Sequence, residues 1–124
     1  MGVDIWAGQI VLRKKVENPE LHLIAATPWP GFAARWKDEW KNQYNALLHD
    51  ADLVVNVSDH YHRGVFQVRN EWMVDHSNRV IAVYNGAAGG TKNTIDYAEK
   101  HGITVIVSMP IMRQEPADPQ KSEE

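Results

Sequence analysis

The chain of 124 residues contains no cysteine. Disulfide bonds, thiolate nucleophiles and cysteine-ligated metals are therefore excluded. No apolar run approaches the roughly 18–20 residues that a membrane-spanning helix needs, and no charged-then-apolar leader opens the sequence. The net charge of −3 does not favour non-specific binding to nucleic acid, which requires a strongly basic surface. We therefore expect a cytoplasmic protein with neither a membrane nor a nucleic acid as its partner.

Four nearly continuous apolar runs are present, over residues 21–26, 53–57, 80–83 and 103–107. Such runs are typical of strands that are buried on both faces of a parallel sheet. Helical patterns alternate with them, over about 4–18, 31–49, 65–76 and 91–101. This alternation predicts a three-layer α/β fold with a mostly parallel sheet of about four strands. We expect the domain to cover residues 1–110, and the proline- and charge-rich residues 111–124 to be a disordered tail.

A glycine-rich turn follows the third predicted strand and precedes the last predicted helix. Its glycines allow backbone to approach a ligand closely, and its hydroxyl and amide side chains offer caps at the start of the helix. The alternative is an ordinary flexible turn with helix capping. Ligands in open parallel sheets bind at the carboxyl ends of strands, which favours a phosphate site here. The candidate residues are Gly86, Gly89, Gly90, Thr91, Asn93 and Thr94.

Two further polar groups belong to the helix and the loop that precede this turn. Arg69 and Asn70 lie within a helical pattern, where an arginine is either a solvated surface residue or the cation for a bound anion. Ser58, Asp59 and His60 follow the second predicted strand, at the same rim of the sheet as the glycine turn. One aspartate and two nearby histidines form a weak metal motif. We therefore expect no metal, and we assign this loop to contacts with a ribose or a base.

The run Arg69-Asn70-x-x-Met73-x-x-x-Ser77-Asn78, followed by Gly86 and by Gly89-Gly90-Thr91-x-Asn93-Thr94, resembles the SLOG superfamily, and within it the YoqJ/YpsA-like branch of bacterial and prophage proteins. The resemblance implies a Rossmann-like fold and a nucleotide or nucleotide-derived ligand. Members of that branch carry a first strand before the segment that resembles Gly2-Val3-Asp4 here. The resemblance thus implies a fold that lacks its usual first strand, and we expect the open sheet edge to promote dimerisation.

The same resemblance extends more distantly to the Lonely-guy phosphoribohydrolases and to DprA proteins. Those hydrolases use an Arg-Lys pair and a glutamate, whereas here Asn70 replaces the lysine and Asp96 is the only acid near the glutamate position. We therefore expect a sensor or sequestering protein that binds an ADP-ribose-like or similar phosphorylated signal, without a cofactor. One alternative is a nucleotide N-glycosidase that uses Arg69 and Asp96. Another is a truncated regulatory or protein-interaction domain without a ligand.

Overall fold

The computed structural model describes residues 2–108. The chain divides into two compact units, Met1–His76 and Ser77–Glu124, here called unit 1 and unit 2. Helices alternate with short parallel strands, which confirms the predicted α/β, Rossmann-like fold class. The tail predicted over residues 111–124 lies outside the described residues. Unit 1 contains α1 (Gly2–Glu17), β1 (Ile24–Thr27), α2 (Asp38–Asp50), β2 (Leu53–Asn56) and α3 (Val65–Asp75), and unit 2 contains β3 (Arg79–Val83), α4 (Gly90–Lys100) and β4 (Thr104–Ser108).

In unit 1, β1 and β2 form a parallel pair in which Ile24 lies opposite Leu53 and Thr27 opposite Asn56. The carboxyl ends of both strands therefore meet at one edge. Helix α1 packs on α2 and α3 contacts β1. Each of the three helices buries at least one apolar residue, because removing apolar surface from water is favourable. The buried apolar side chains of this unit are Ile5, Pro28, Ala33, Leu47, Val65 and Val74.

The segment before α2 differs from the prediction. A helix was predicted over residues 31–49, but α2 begins at Asp38 and residues 30–35 form turns. Gly31 has a φ of 80°, and the Ala34 N–H donates to the Gly31 carbonyl at 2.9 Å, a turn pattern rather than a continuing helix. Phe32 and Trp36 still lie close, with ring centroids 5.2 Å apart. Their helix-like spacing thus reflects an aromatic cluster.

In unit 2, β3 pairs in parallel with β4, with Arg79 opposite Thr104 and Val83 opposite Ser108. Helix α4 contacts both strands and buries Ile95 and Ala98. It ends at Lys100, and the predicted stop at Gly102 is confirmed by a left-handed φ of 76°. Among residues 2–108, no helix combines the length and apolar character that crossing a membrane requires.

The prediction that the strands are buried on both faces is wrong. Ile24, Leu53 and Ile81 are 54%, 52% and 71% exposed. Within the described residues each sheet has only two strands, so every strand has one edge without a strand neighbour. Apolar strand composition predicted where the strands occur, but burial depends on what packs against them.

Candidate functional site

The glycine turn of unit 2 continues directly from the β3–β4 pair. The Tyr84 N–H donates to the Ser108 carbonyl at 3.0 Å and extends the strand ladder by one residue. The Asn85 side-chain oxygen then accepts the Ala87 N–H at 2.9 Å, which closes a local Asx turn. Gly86 adopts a φ of 94°, a conformation that favours glycine. This turn redirects the chain from the end of the strand to the start of α4.

The first turn of α4 presents backbone donors to this loop. Gly89 is the N-cap, with φ 142° and ψ −161°, and no side chain caps the helix. Among the described residues, the helix's hydrogen-bond ladder begins with the Asn93 N–H, which donates to the Gly89 carbonyl at 3.0 Å. The N–H groups of Gly90, Thr91 and Lys92 precede that bond and have no acceptor within the helix. They are the donors that a helix N-terminus offers to an anion.

A cleft of about 290 Å³ lies along this turn. Gly89, Gly90 and Thr91, all predicted as site residues, line it. A methyl group built on Gly90 would meet no atom within 4 Å, so the missing side chain leaves that part of the cleft open. The sequence prediction missed five lining residues, although each ends the strand, follows directly on it or belongs to the turn: Val83, Tyr84, Asn85, Ala87 and Ala88.

Three predicted residues of this region do not line the cleft. Gly86 shapes the turn, whereas Asn93 is exposed on α4. The Thr94 hydroxyl donates to the Gly90 carbonyl at 2.8 Å, one helical turn back. Thr94 therefore satisfies its hydroxyl within the helix, as threonine side chains in helices often do.

Asp96, the acid of the hydrolase alternative, is engaged on the surface of α4. Its Oδ2 lies 2.7 Å from the Lys92 Nζ, in an i,i+4 ion pair whose side chains are both about half exposed. The hydrogen bond from Lys92 to this carboxylate, followed by its charge, raises the pKa of the Lys92 ammonium. Such a surface pair gives no geometric support to a general-acid role for Asp96.

Arg69, on α3 of unit 1, is half-buried. Its Nε donates to the Asn70 side-chain oxygen at 2.8 Å, and among residues 2–108 it forms no ion pair within 4 Å. Burial lowers the pKa of the Arg69 guanidinium, while the charge of Asp4, and that of Tyr44 when its phenol is ionised, act in the opposite direction. A partly desolvated cation without a close carboxylate is suited to an anionic group of a ligand.

The loop after β2 holds its polar side chains in local contacts. The Ser58 hydroxyl donates to the His60 carbonyl at 2.9 Å, and His60 Nδ1 lies 2.5 Å from Asp59 Oδ1. The side chains of His60 and Asp59 are 72% and 89% exposed, and none of the three residues lines the cavities described for either unit. Within the described part of the chain, no group of three His, Asp or Glu side chains is placed to hold a metal.

Parallel strands that alternate with helices, and a glycine turn that leads from a strand's carboxyl end into a helix, define a Rossmann-like α/β protein. The chain belongs to the YpsA family, described as the YspA SLOG family, whose model matches residues 1–108. This match confirms the resemblance to SLOG proteins that the Arg-Asn and Gly-Gly-Thr motifs indicated.

Two relatives illustrate the similarity. The chain is 33% identical to the uncharacterized SPbeta prophage-derived protein YoqJ of Bacillus subtilis, over 81% of this chain and 66% of that protein. It is 26% identical to a UPF0398 protein of Staphylococcus haemolyticus, over 84% of this chain and 59% of the relative. The matched region thus spans roughly three fifths of the length of these relatives.

Proposed function

We propose that this protein binds a nucleotide or a nucleotide-derived phosphorylated molecule, with a phosphate group at the glycine turn of unit 2. The observation that carries the proposal is the set of three backbone N–H groups, of Gly90, Thr91 and Lys92, at the open start of α4. The partial positive charge at a helix N-terminus adds to these donors. Membership of a SLOG family supports a nucleotide-related ligand.

The size of the cleft favours a phosphate or diphosphate group over a whole nucleotide. Its volume of about 290 Å³ lies at the lower end of the range for small-molecule pockets. The open space at Gly90 lets an anion approach the backbone, and the Thr91 hydroxyl adds a donor at the rim. The rest of the ligand would extend beyond this cleft.

We also propose Arg69, in unit 1, as an anion-binding group that is considered by itself and not as part of the glycine-turn cleft. It is a half-buried cation that forms no ion pair within 4 Å among residues 2–108. An anionic ligand group would give the partly desolvated guanidinium of Arg69 a close partner of opposite charge. We assign Asn70 a supporting role, because its side-chain oxygen accepts the Arg69 Nε–H and holds the guanidinium in place.

We further propose that the protein senses or sequesters an ADP-ribose-like signal and does not convert it. Binding alone needs no general acid, and Asp96 is engaged with Lys92 on the surface of α4. A protein that only sequesters its ligand binds it and releases it chemically unchanged. Chromatography of AMP or ADP-ribose after prolonged incubation should therefore recover the ligand unchanged, and steady release of ribose 5-phosphate would favour the hydrolase instead.

The Gly90→Val variant tests the phosphate site. The backbone of Gly90 is helical and its side-chain position is open, so valine should fit without strain while its methyl groups occupy the cleft. We expect ADP-ribose or ADP at a hundred times its dissociation constant to stabilise the wild-type protein by about 2.7 kcal/mol, a rise in melting temperature of roughly 10 °C. The variant should lose this rise.

Glu99→Val is the matched control, because it places the same β-branched side chain at an exposed position of the same helix. It should retain the full ligand-induced shift. The phosphate assignment is refuted if Gly90→Val folds with an unchanged apo melting temperature and still shows the wild-type shift.

A further inference from the structure

Unit 1 contains a second cavity, between α2 and the β1–β2 sheet, with a volume of about 560 Å³. Lys41, Tyr44, Asn45 and Leu48 line it from α2. Their spacing of three, four and seven residues after Lys41 places them on one face of the helix. Val54 and Asn56 line it from β2, two residues apart and hence on one face of the strand. A helix face and a sheet face thus flank this open cavity.

The polar groups of this cavity combine donors and acceptors. The Thr27 hydroxyl donates to the Asn56 side-chain oxygen, which leaves the Asn56 amide nitrogen as a donor. In the part of the chain that the structure describes, neither this nitrogen nor the Asn45 side chain has a hydrogen-bond partner. Lys41 Nζ donates to the Ala34 carbonyl at 3.3 Å. Two carboxamides that lack full partners are suited to a ligand edge that both donates and accepts.

Two aromatic side chains complete the lining. Trp29 is held by edge-to-face contacts with Phe32 and Tyr61, whose ring centroids lie 5.2 and 5.3 Å away. Tyr44 packs against Trp36 at 5.0 Å. Burial raises the pKa of the Tyr44 phenol, although the charge of Arg69 acts against this. The phenol is therefore protonated at neutral pH and is available as a donor.

We propose that this cavity binds a planar heteroaromatic ring of the nucleobase type. The ring edge would exchange hydrogen bonds with the Asn45 and Asn56 amides, and Trp29 and Tyr44 supply the aromatic surface. Lys41 is the only charged side chain among the described lining residues, so a cationic ligand is not favoured. The volume suits a small molecule. This site belongs to unit 1 and goes beyond the phosphate site of unit 2.

The test uses probes that contain a ring but no phosphate. Saturation-transfer NMR on the full chain, with adenosine, guanosine, cytidine and uridine at millimolar concentration, should detect binding of at least one nucleoside. Asn45→Leu removes the side-chain carboxamide, with its carbonyl oxygen and its NH2 group, from an exposed helix position at similar volume and should weaken that binding about tenfold. Ala34→Trp places a large ring at an exposed lining position and should abolish it.

The control is Asn42→Leu, which makes the same change of side chain at an exposed position of the same helix that does not line the cavity. It should bind nucleosides as the wild type does. The proposal is overturned if no nucleoside binds the wild-type chain, or if Ala34→Trp binds with unchanged affinity. Because the probes lack phosphate, the nucleoside experiment reports on the ring cavity alone. Failure at the ring cavity is thus distinguishable from failure at the glycine turn, which the ADP-ribose experiment reports.

Discussion

The contact between α1 and α2 yields a quantitative prediction for Gly8→Ala. Gly8 is buried in α1, and a methyl group built there would lie 2.8 and 2.9 Å from the two methyl carbons of Leu47. Ordinary van der Waals contact between carbon atoms needs about 3.5–4.0 Å. Leu47 is itself 9% exposed, so it has little free space into which it can move.

Two opposing effects set the magnitude. Replacing glycine by alanine inside a helix stabilises it by about 1 kcal/mol, whereas overpacking a core costs about 1–3 kcal/mol. We therefore expect Gly8→Ala to lower the free energy of unfolding by about 1 kcal/mol. Leu47→Ala alone should cost about 2–5 kcal/mol, because it leaves a cavity.

The double variant provides the decisive comparison. With Leu47 shortened, the new methyl group of Gly8→Ala no longer collides and fills part of the vacated space. The double variant should therefore be more stable than the sum of the two single effects predicts, by about 1–2 kcal/mol. Urea denaturation followed by circular dichroism measures all three free energies.

Gly90→Ala serves as the control, because its added methyl group meets no atom within 4 Å. It should be neutral or slightly stabilising. If Gly8→Ala stabilises the protein as much as this control does, or if the two single effects simply add, then α1 and α2 do not pack in the close contact on which the reasoning rests.

Three further predictions follow from individual groups. Arg69→Ala should weaken ADP-ribose binding ten- to hundredfold, because a charge-assisted hydrogen bond is worth about 1.5–3 kcal/mol. Calorimetry measures the dissociation constant, with Arg13→Ala as the control. A change below twofold would mean that Arg69 does not bind the ligand. Hydrogen bonds from Lys15 and the Leu23 N–H lower the pKa of Asp52 from 3.8 to about 2. The free energy of unfolding that the wild type gains over Asp52→Asn should therefore be fully present above pH 3.8 and should disappear as the pH falls toward 2. A difference in free energy that does not change with pH contradicts this. We also propose that the open strand edges promote self-association, and light scattering that finds a monomer at tens of micromolar would refute it.

The order of helices and strands followed from the sequence because the signals are local. Apolar runs such as residues 80–83 mark strands wherever they pack, and the observed β3 differs from that prediction by one residue. The helix stop at Gly102 and the turn through Gly86 are likewise local, since a left-handed φ favours glycine whatever surrounds it. The motifs around Arg69 and Gly89-Gly90-Thr91 were also sufficient to indicate the SLOG family, which the comparison confirmed.

Which side chains are buried, and which side chains of different helices and strands contact each other, were decided only by the tertiary structure. The spacing of Phe32 and Trp36 fits a helix, yet Gly31 and the aromatic contacts place both residues before α2. Sequence pattern also gave no reason to group Asn45 with Asn56, because their meeting depends on how α2 lies over the sheet. Local chemistry determines which element a residue joins, whereas the packing of elements decides which polar groups face one cavity.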